Sequence, residues 1–482
     1  MGALLACSIL LPIIGGAAIY YAGFTDRKKR ETAVLAVVVP VSVWVILMSL
    51  NDMGTAFTLL QLTKEISISF RIDGLGRIFA LLVSVLWPLA SIYSFEYMSH
   101  EHRENTFFVF YTMTFGVTLG ICFAANLITM YMFYELLTLI TLPLIMHERD
   151  EAAHKAGMKY IIYSIGGATA SFVGIMLFYI NGGSFDFVLG GTFTGEKPAA
   201  FYAAFLLMFF GFGVKAAIFP LYRWLVAASV APTPVTALLH AVAVVKAGTF
   251  AVIRVSCYSF GIENLNGSAV QKVALGFAAL TIVFGSSMAL KEHHFKRRLA
   301  YSTVANLSYI LFGAMLMTPE GVTGGLMHML FHGVIKITLF FVAGIVNIKT
   351  HRYSVDELEG FGKKMPKTFA LFTAASLALI GIPPLCGFVS KFYIGRAAVS
   401  SAGLFPYLGI AALLISAILT AMYLLPIVVN AFFPSKSFKP ESLGEEVRDP
   451  NGYMLWPLVI FVTAIIFFGL KPQMVLDFVN IF

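Results

Sequence analysis

The sequence predicts an all-α polytopic membrane protein of about 14 transmembrane helices. Helices 7 and 12 are expected to be broken, and two five-helix repeats to run in opposite senses. Three observations lead there. Of 482 residues, 59% are hydrophobic and 12% charged, with a mean hydropathy of +0.85; soluble domains average roughly 45–50% and about 25%. Apolar stretches recur along the whole chain at the length of about 20 residues that a span requires. Two of them, five spans apart, carry a lysine beside a proline.

Taken in order, hydropathy places the spans at 3–23, 32–50, 73–95, 107–125, 126–146, 157–180, 201–224, 231–258, 269–290, 299–317, 322–348, 367–394, 404–432 and 454–472. The N-terminal MGALLACSILLPIIGG contains LLAC, as a lipoprotein cleavage box would. No basic segment and almost no apolar segment precede the cysteine, so the stretch is read as the first span. Residues 55–72 alternate in polarity, which suits a short strand or hairpin outside the membrane.

Lysine and arginine decide the orientation. One set of alternate loops holds 21 of them, including Arg27, Lys28, Lys29 and Arg30, then Lys296, Arg297 and Arg298, then Lys436, Lys439 and Arg448. The opposite loops hold 7, and the remaining 5 lie within spans. This bias puts the first set in the cytoplasm and both termini outward. The net charge of +8 is thereby a matter of membrane orientation, and no nucleic-acid partner is expected. Cys7, Cys122, Cys257 and Cys386 each stand alone in an apolar stretch without CxxC spacing, so they are read as small buried hydrophobes. The sequence contains no Walker motif, no GxGxxG after a strand and no haem-attachment motif.

The seventh span reads GVKAAIFPLYRW, with Lys215 followed by Pro220; the twelfth reads GIPPLCGFVSK, with Pro383 and Pro384 followed by Lys391. Proline removes a helical hydrogen bond and clashes with the preceding turn. Broken helices with an ionisable group beside the break mark ion pathways and recur at matching positions in repeats. Residues 107–258 (spans 4–8) and 269–432 (spans 9–13) are therefore expected to be the two repeats. Five helices in each would invert the second relative to the first.

Six ionisable groups fall inside spans: Glu135, Lys215, Lys246, Arg254, Lys336 and Lys391. Each costs about 2.5–3.5 kcal/mol at mid-membrane on insertion scales. Glu135 and Lys215 are mid-span, too deep for a carboxylate to reach water by snorkelling. Arg254, near a span end, is expected to snorkel. His240 and Lys246 are six apart in span 8, about 9 Å along a continuous helix and about 120° around it, an arrangement that can pass a proton. His240 hydrogen-bonded to a neighbouring backbone is the alternative. Ala231-Pro232-Thr233-Pro234 reads as a broken start. In span 11, His328, His332 and Lys336 follow i, i+4, i+8 and line one face. Two histidines at that spacing can hold zinc, but no third ligand or general base suggests itself, so no metal is expected. Because histidine titrates near neutrality, the face is read as a proton wire, with buried structural polar groups as the alternative. His293 and His294 are expected to be solvated in a basic loop.

The segments GFGVKAAIFPLYRW, APTPVTALLHAVAVVKAG, KRRLAYSTVANLSYI, HMLFHGVIKITLFFVAG and GIPPLCGFVSKF resemble the antiporter-like subunits of respiratory complex I. The same family includes the large subunits of Mrp Na+/H+ antiporters and membrane subunits of group 4 membrane-bound hydrogenases. The resemblance covers nearly the whole chain and implies fourteen helices with two inverted repeats. It implies that Glu135 and Lys215 form the pair of the first half-channel, that His240 and Lys246 link to the relay of His332 and Lys336, and that Lys391 is the terminal lysine. Where the family reads PLHxWLPDAH, this chain reads PLYRWLVAAS, with Tyr222, Arg223, Val226 and Ala227 in place of His, Pro and Asp. The departure bears on proton uptake near that loop. The chain is also expected to lack the lateral helix of the largest complex I subunit.

The resemblance implies a proton-translocating subunit of a redox-driven complex, in the cytoplasmic (inner) membrane of a prokaryote. No cofactor is expected in this chain; iron–sulfur clusters, with nickel–iron or flavin, would sit on partner subunits on the cytoplasmic side. Further antiporter-like subunits and lipid complete the expected partners. A Mrp-type Na+/H+ antiporter subunit without a redox partner is the alternative, and an independent solute carrier is set aside on its span count.

Overall fold

The structure is a computed structural model that describes every residue except 1, 52, 53, 55, 194, 195, 436, 437, 439–442, 445 and 446. Lys436 and Lys439 of the basic loop, and residue 55 of the alternating stretch, lie outside the described residues. The chain is a helical bundle, and it opens with α1 (Gly2–Ala22) and α2 (Arg27–Asn51). A hairpin of β1 (Ala56–Gln61) and β2 (Ser67–Arg71), antiparallel with one irregularity between Thr58 and Leu60, occupies the alternating stretch. Then come α3 (Gly74–Met98), α4 (Glu104–Phe123), α5 (Leu127–Ile145) and α6 (Glu151–Ile180). The middle of the chain is more broken: α7 (Ala199–Gly213), α8 (Arg223–Ala227), α9 (Thr233–Ala241), α10 (Val244–Arg254) and α11 (Ile262–Leu265). The second half holds α12 (Ala269–Lys291), α13 (Phe295–Met315), α14 (Pro319–Thr350), α15 (Phe361–Lys364), α16 (Pro366–Ile380), α17 (Cys386–Ser401), α18 (Leu404–Phe432), α19 (Gly452–Leu470) and α20 (Pro472–Val479).

Local chemistry sets these boundaries. Asp73, Asn126, Asp150, Ser268 and Thr318 each cap a helix, their side-chain oxygens accepting from a backbone N–H three residues on. Among the described residues, 11 helical segments are long and apolar enough to cross a membrane, so the chain is a multi-pass membrane protein. Three further expected spans land differently. The seventh falls on α7, 15 residues long, and the twelfth on α16 and α17, of 15 and 16 residues. The tenth falls on α13, whose first turn carries Lys296, Arg297 and Arg298. The 32-residue α14 is the central post, packed against α3, α9, α13, α16, α17 and α19.

Both proline-bearing breaks are present. The first helix, α7, stops at Gly213; residues 214–222 form turns pinned by Trp224 Nε1 donating to the Val214 carbonyl at 2.7 Å and Phe219 N donating to Thr281 Oγ1 at 3.0 Å. At the other, α16 stops at Ile380, the chain turns through Gly381 at φ 97°, and α17 starts at Cys386. Both breaks contain a cis bond before proline, at Phe219–Pro220 and Pro383–Pro384.

Four expectations need correction. Cys7 of α1 is exposed, unlike Cys122, Cys257 and Cys386, because it lies on the face of α1 that no other helix covers among the described residues. Span 8 is not one helix: it parts into α9 and α10 at Val242 and Ala243, and the amides of both donate to the Leu238 carbonyl. The separation reckoned for His240 and Lys246 along a straight axis therefore does not hold. The span ends in a π-helix, Val255–Phe260. Arg254 does not snorkel. It is fully buried, ion-paired with Asp73, donating to the Cys122 carbonyl at 3.3 Å and faced by the rings of Phe187, Phe250 and Tyr258. Asp73 caps α3 next to it, which satisfies the charge internally. His294 is not freely solvated but half-buried against the Tyr353 ring, because the His293–His294 segment pairs with Tyr353–Val355.

Candidate functional site

The interior holds Lys215, His240, Lys246, His332 and Lys336 with no exposed surface, and His328 at 1%. Three ammonium groups together would cost about 8–10 kcal/mol on insertion scales, comparable to the entire stability of a domain. Such a cost is met only if the groups are neutral or held by polar partners.

Lys215 stands just past the C-terminus of α7. Its Nζ donates to the Tyr134 carbonyl of α5 and lies 3.5 Å from the centre of the Tyr134 ring. Tyr134 is itself fixed by its hydroxyl, which donates to the Phe212 carbonyl at 3.0 Å. Glu135, the next residue of α5, is half-buried, and its Oε1 has no hydrogen-bond partner among the described residues. No ion pair joins Glu135 to Lys215 among the described residues; they are neighbours through Tyr134 rather than in contact.

Two further hydrogen-bonded clusters, Lys246 with His332 and His328 with Asn306 and Ser390, face each other along α14. Lys246 Nζ of α10 lies 2.7 Å from His332 Nδ1 of α14. An ammonium has only donors, so Nδ1 accepts and the proton of neutral His332 sits on Nε2, which has no partner among the described residues. One turn back on α14, the His328 ring lies 5.9 Å from that of His332. His328 Nε2 meets Asn306 Oδ1 at 3.2 Å, and Nδ1 meets Ser390 Oγ at 2.9 Å. Asn306 Nδ2 donates to the Ser302 carbonyl at 2.7 Å, which turns Oδ1 toward the histidine. The assigned tautomer therefore has Nε2–H donating to Asn306, with Nδ1 facing the serine hydroxyl. Ser390 adjoins Lys391, whose Nζ donates to the Leu379 and Ile380 carbonyls at 2.6 and 3.0 Å. Those are unpaired carbonyls at the C-terminus of α16, the negative end of a helix dipole. Lys336, one turn beyond His332, donates to Ser302 Oγ and to the Leu299 carbonyl at 2.9 Å.

His328, His332 and Lys336 thus share one face of α14, and that face meets Lys246, Asn306 and Ser390 from three other helices. His240 is placed differently: neither ring nitrogen has a hydrogen-bond partner among the described residues, and its ring packs 4.7 Å from that of Phe340. Four participants went unassigned in the sequence: Tyr134, Ser302, Asn306 and Ser390. Ser302, Asn306 and Tyr309 follow an i, i+4, i+7 pattern in KRRLAYSTVANLSYI, a signal that could have found two of them. Among the described residues no group of three or more His, Cys, Asp or Glu could hold a metal ion.

Residues 124–420 match the family described as NADH:quinone oxidoreductase/Mrp antiporter, TM, and residues 61–108 match the NADH-ubiquinone oxidoreductase (complex I), chain 5 N-terminus. The chain is 32% identical over 412 residues to NADH-quinone oxidoreductase subunit L of Mycobacterium tuberculosis, covering 84% of this chain and 63% of that one. It is 30% identical over 428 residues to Na(+)/H(+) antiporter subunit A1 of Staphylococcus aureus, covering 83% and 52%. It therefore spans less than two thirds of the length of both relatives. Its fold is similar to that of a chain in the membrane-bound sulfane sulfur reductase, an archaeal respiratory membrane complex: TM-score 0.86, 24% identity, 99% of this chain and 96% of that one. It is also similar to a chain of respiratory complex I from Thermus thermophilus: TM-score 0.83, 22% identity, 99% and 98%.

Proposed function

Because the chain belongs to the NADH:quinone oxidoreductase/Mrp antiporter transmembrane family, we propose that it is a proton-translocating membrane subunit of a redox-driven complex. The observation that carries this reading is the succession of buried groups, Lys246 bonded to His332, His328 bonded to Ser390, and Lys391 next in sequence, set along one face of α14. Lys246 passes a proton to His332 Nδ1; the Nε2 proton leaves across the gap, by way of a bridging water, to His328 Nδ1, the ring nitrogen there that carries no proton. His328 passes it through the Ser390 hydroxyl toward Lys391 and the α16 C-terminus. The first half is loaded at Lys215. Approach of the Glu135 carboxylate favours its ammonium, and withdrawal favours the neutral amine.

In this reading the chain crosses the inner membrane of a prokaryote fourteen times with both termini outward. Residues 107–258 and 269–432 are inverted repeats, and Pro220, Pro383 and Pro384 supply the breaks. Its partners are further antiporter-like membrane subunits. Peripheral redox subunits on the cytoplasmic side carry the iron–sulfur clusters and the nickel–iron or flavin centre.

The test is a mild-detergent isolation of the chain, followed by mass spectrometry, visible absorbance and proton-uptake measurement. Iron–sulfur subunits should co-purify, and Lys215→Ala or Lys391→Ala should abolish proton uptake. Undiminished uptake in either variant contradicts the pathway. A colourless set of membrane subunits contradicts the redox assignment and makes the chain a Mrp-type antiporter subunit.

A further inference from the structure

The outer flank of α6 carries a cleft that plays no part in the proton chain. Three cavities join along it. The first, about 610 Å³, is lined by Lys155, Met158, Lys159 and Ile162 among others. It shares Lys159, Ala227 and Val230 with a second of about 300 Å³, which adds Tyr222, Arg223, Arg297 and Tyr301. It shares Ile162 and Tyr163 with a third of about 330 Å³, which runs over Gly166, Gly167, Phe210 and Leu221.

The upper end is cationic and the lower end apolar. Glu292 lies 3.3 Å from Arg297, and Glu151 lies 2.5 Å from Lys155. Lys159 and Arg223 meet no carboxylate at ion-pairing distance among the described residues. Met158, Ile162 and Ile165 are exposed along the same flank. On α6 the cleft runs from Ala152 to Ala170, and its apolar part lies beyond Lys159. The eleven residues beyond Lys159, 160–170, rise about 16 Å, close to half of a hydrocarbon core about 30 Å thick. Lys159, Arg223 and Arg297 gather at the end of the cleft next to the basic turn of α13, and the apolar groove leads away from them along α6. Gly166, which lines the third cavity, is exposed, and a Cβ there would meet no atom within 4 Å.

We propose that this cleft binds one anionic phospholipid of the leaflet that adjoins the basic loops. Its phosphate is held by Lys159, Arg223 and Arg297, and one acyl chain lies over Gly166 and Gly167. Charge complementarity selects the head group, since guanidinium groups match phosphate oxygens in pairs. Tyr222 and Tyr301 line the same cavity as these cations, and amphipathic rings favour the membrane interface. The length of the groove selects a lipid chain over a free anion. Val214 and Leu221 line its lower part and bracket the turns that hold Lys215, so the bound lipid steadies the first break. The Tyr222–Arg223 departure from the family pattern then has a use that does not involve proton uptake.

Native mass spectrometry tests the site. The full chain, with whatever subunits accompany it, is titrated with dioleoyl phosphatidylglycerol, dioleoyl phosphatidylcholine and inorganic phosphate. Phosphatidylglycerol should be retained in preference to phosphatidylcholine and should survive competition by phosphate. Each cation removed should weaken retention about five-fold, so Lys159→Gln with Arg223→Gln should weaken it about 25-fold. Lys471→Gln, on a distant loop, should leave it unchanged. Gly166→Leu fills the groove without meeting a neighbour and should weaken both lipids. Equal retention of the two lipids, displacement by phosphate, or unchanged binding in the double variant or in Gly166→Leu would each overturn the proposal.

Discussion

Replacing Ser390 by alanine removes a single hydroxyl at the junction of the relay and the terminal lysine. That hydroxyl is 2.9 Å from His328 Nδ1. When His328 receives a proton, Nδ1–H must donate, and Ser390 Oγ is the acceptor that faces it. A hydrogen bond to a charged group contributes about 1.5–3 kcal/mol in a buried site. Losing it raises the energy of the imidazolium by that amount, and each 1.4 kcal/mol is about a factor of ten in rate. Proton transfer past His328 should therefore slow by about 10- to 150-fold. The structure supplies the matched control. Ser376 of α16 is equally buried, and its hydroxyl has no partner among the described residues, so Ser376→Ala should change the rate by less than about two-fold. The assay is dye-quench proton uptake by inverted vesicles, normalised to the amount of assembled complex. A Ser390→Ala rate within two-fold of the wild type, or an equal loss in Ser376→Ala, would refute the reasoning.

Three further outcomes are expected. Arg254→Met leaves the Asp73 carboxylate without its cation, and breaking a buried pair in this way costs about 3–5 kcal/mol. The thermal midpoint in detergent should fall by several degrees and partly recover when Asp73→Leu is added; an unchanged midpoint would show the pair to be idle. His294 is held down at about 4, against an ordinary value of 6.5, first by burial and then by Arg297 and Lys296. Its contribution is full above pH 6.5 and is lost as pH falls toward 4, so His294→Gln should flatten the midpoint-against-pH curve in that window. An unaltered slope there would count against it. Burial and the neighbouring Glu148 push Glu101 above the usual carboxylate range, so its ionisation opposes folding. Glu101→Gln should remove a loss of stability that sets in as pH rises above 4.5, and persistence of that loss would assign it to another group.

Membrane character, the two broken spans and the His328–His332–Lys336 face were legible in the sequence because each depends on local facts: hydropathy, proline chemistry and helical spacing. The break in span 8 was not. LLHAVAVVKAG has no proline to announce a break, and its valines and glycine disfavour helix only mildly; the turn at Val242–Ala243 falls where α9, packed against α14, gives way to α10. Arg254 was misjudged for the same reason. Its partner Asp73 is 181 residues away, and no local pattern announces that pairing. The hydrogen-bonding serines and asparagine of the relay were hidden by their ordinariness. Ser390 matters only because α17 sets it against α14. The expected pairing of Glu135 with Lys215 came from resemblance, and the structure instead interposes the Tyr134 carbonyl.

The central claim is that protons pass through His332 between Lys246 and His328. His332→Gln tests it most directly, because the glutamine amide oxygen can still accept from Lys246 but cannot carry a proton onward. Inverted vesicles bearing this variant should assemble normally and retain a thermal midpoint near that of the wild type, with proton uptake lost. Uptake at the wild-type rate would contradict the account, since the proton would then be crossing by a route that does not use His332.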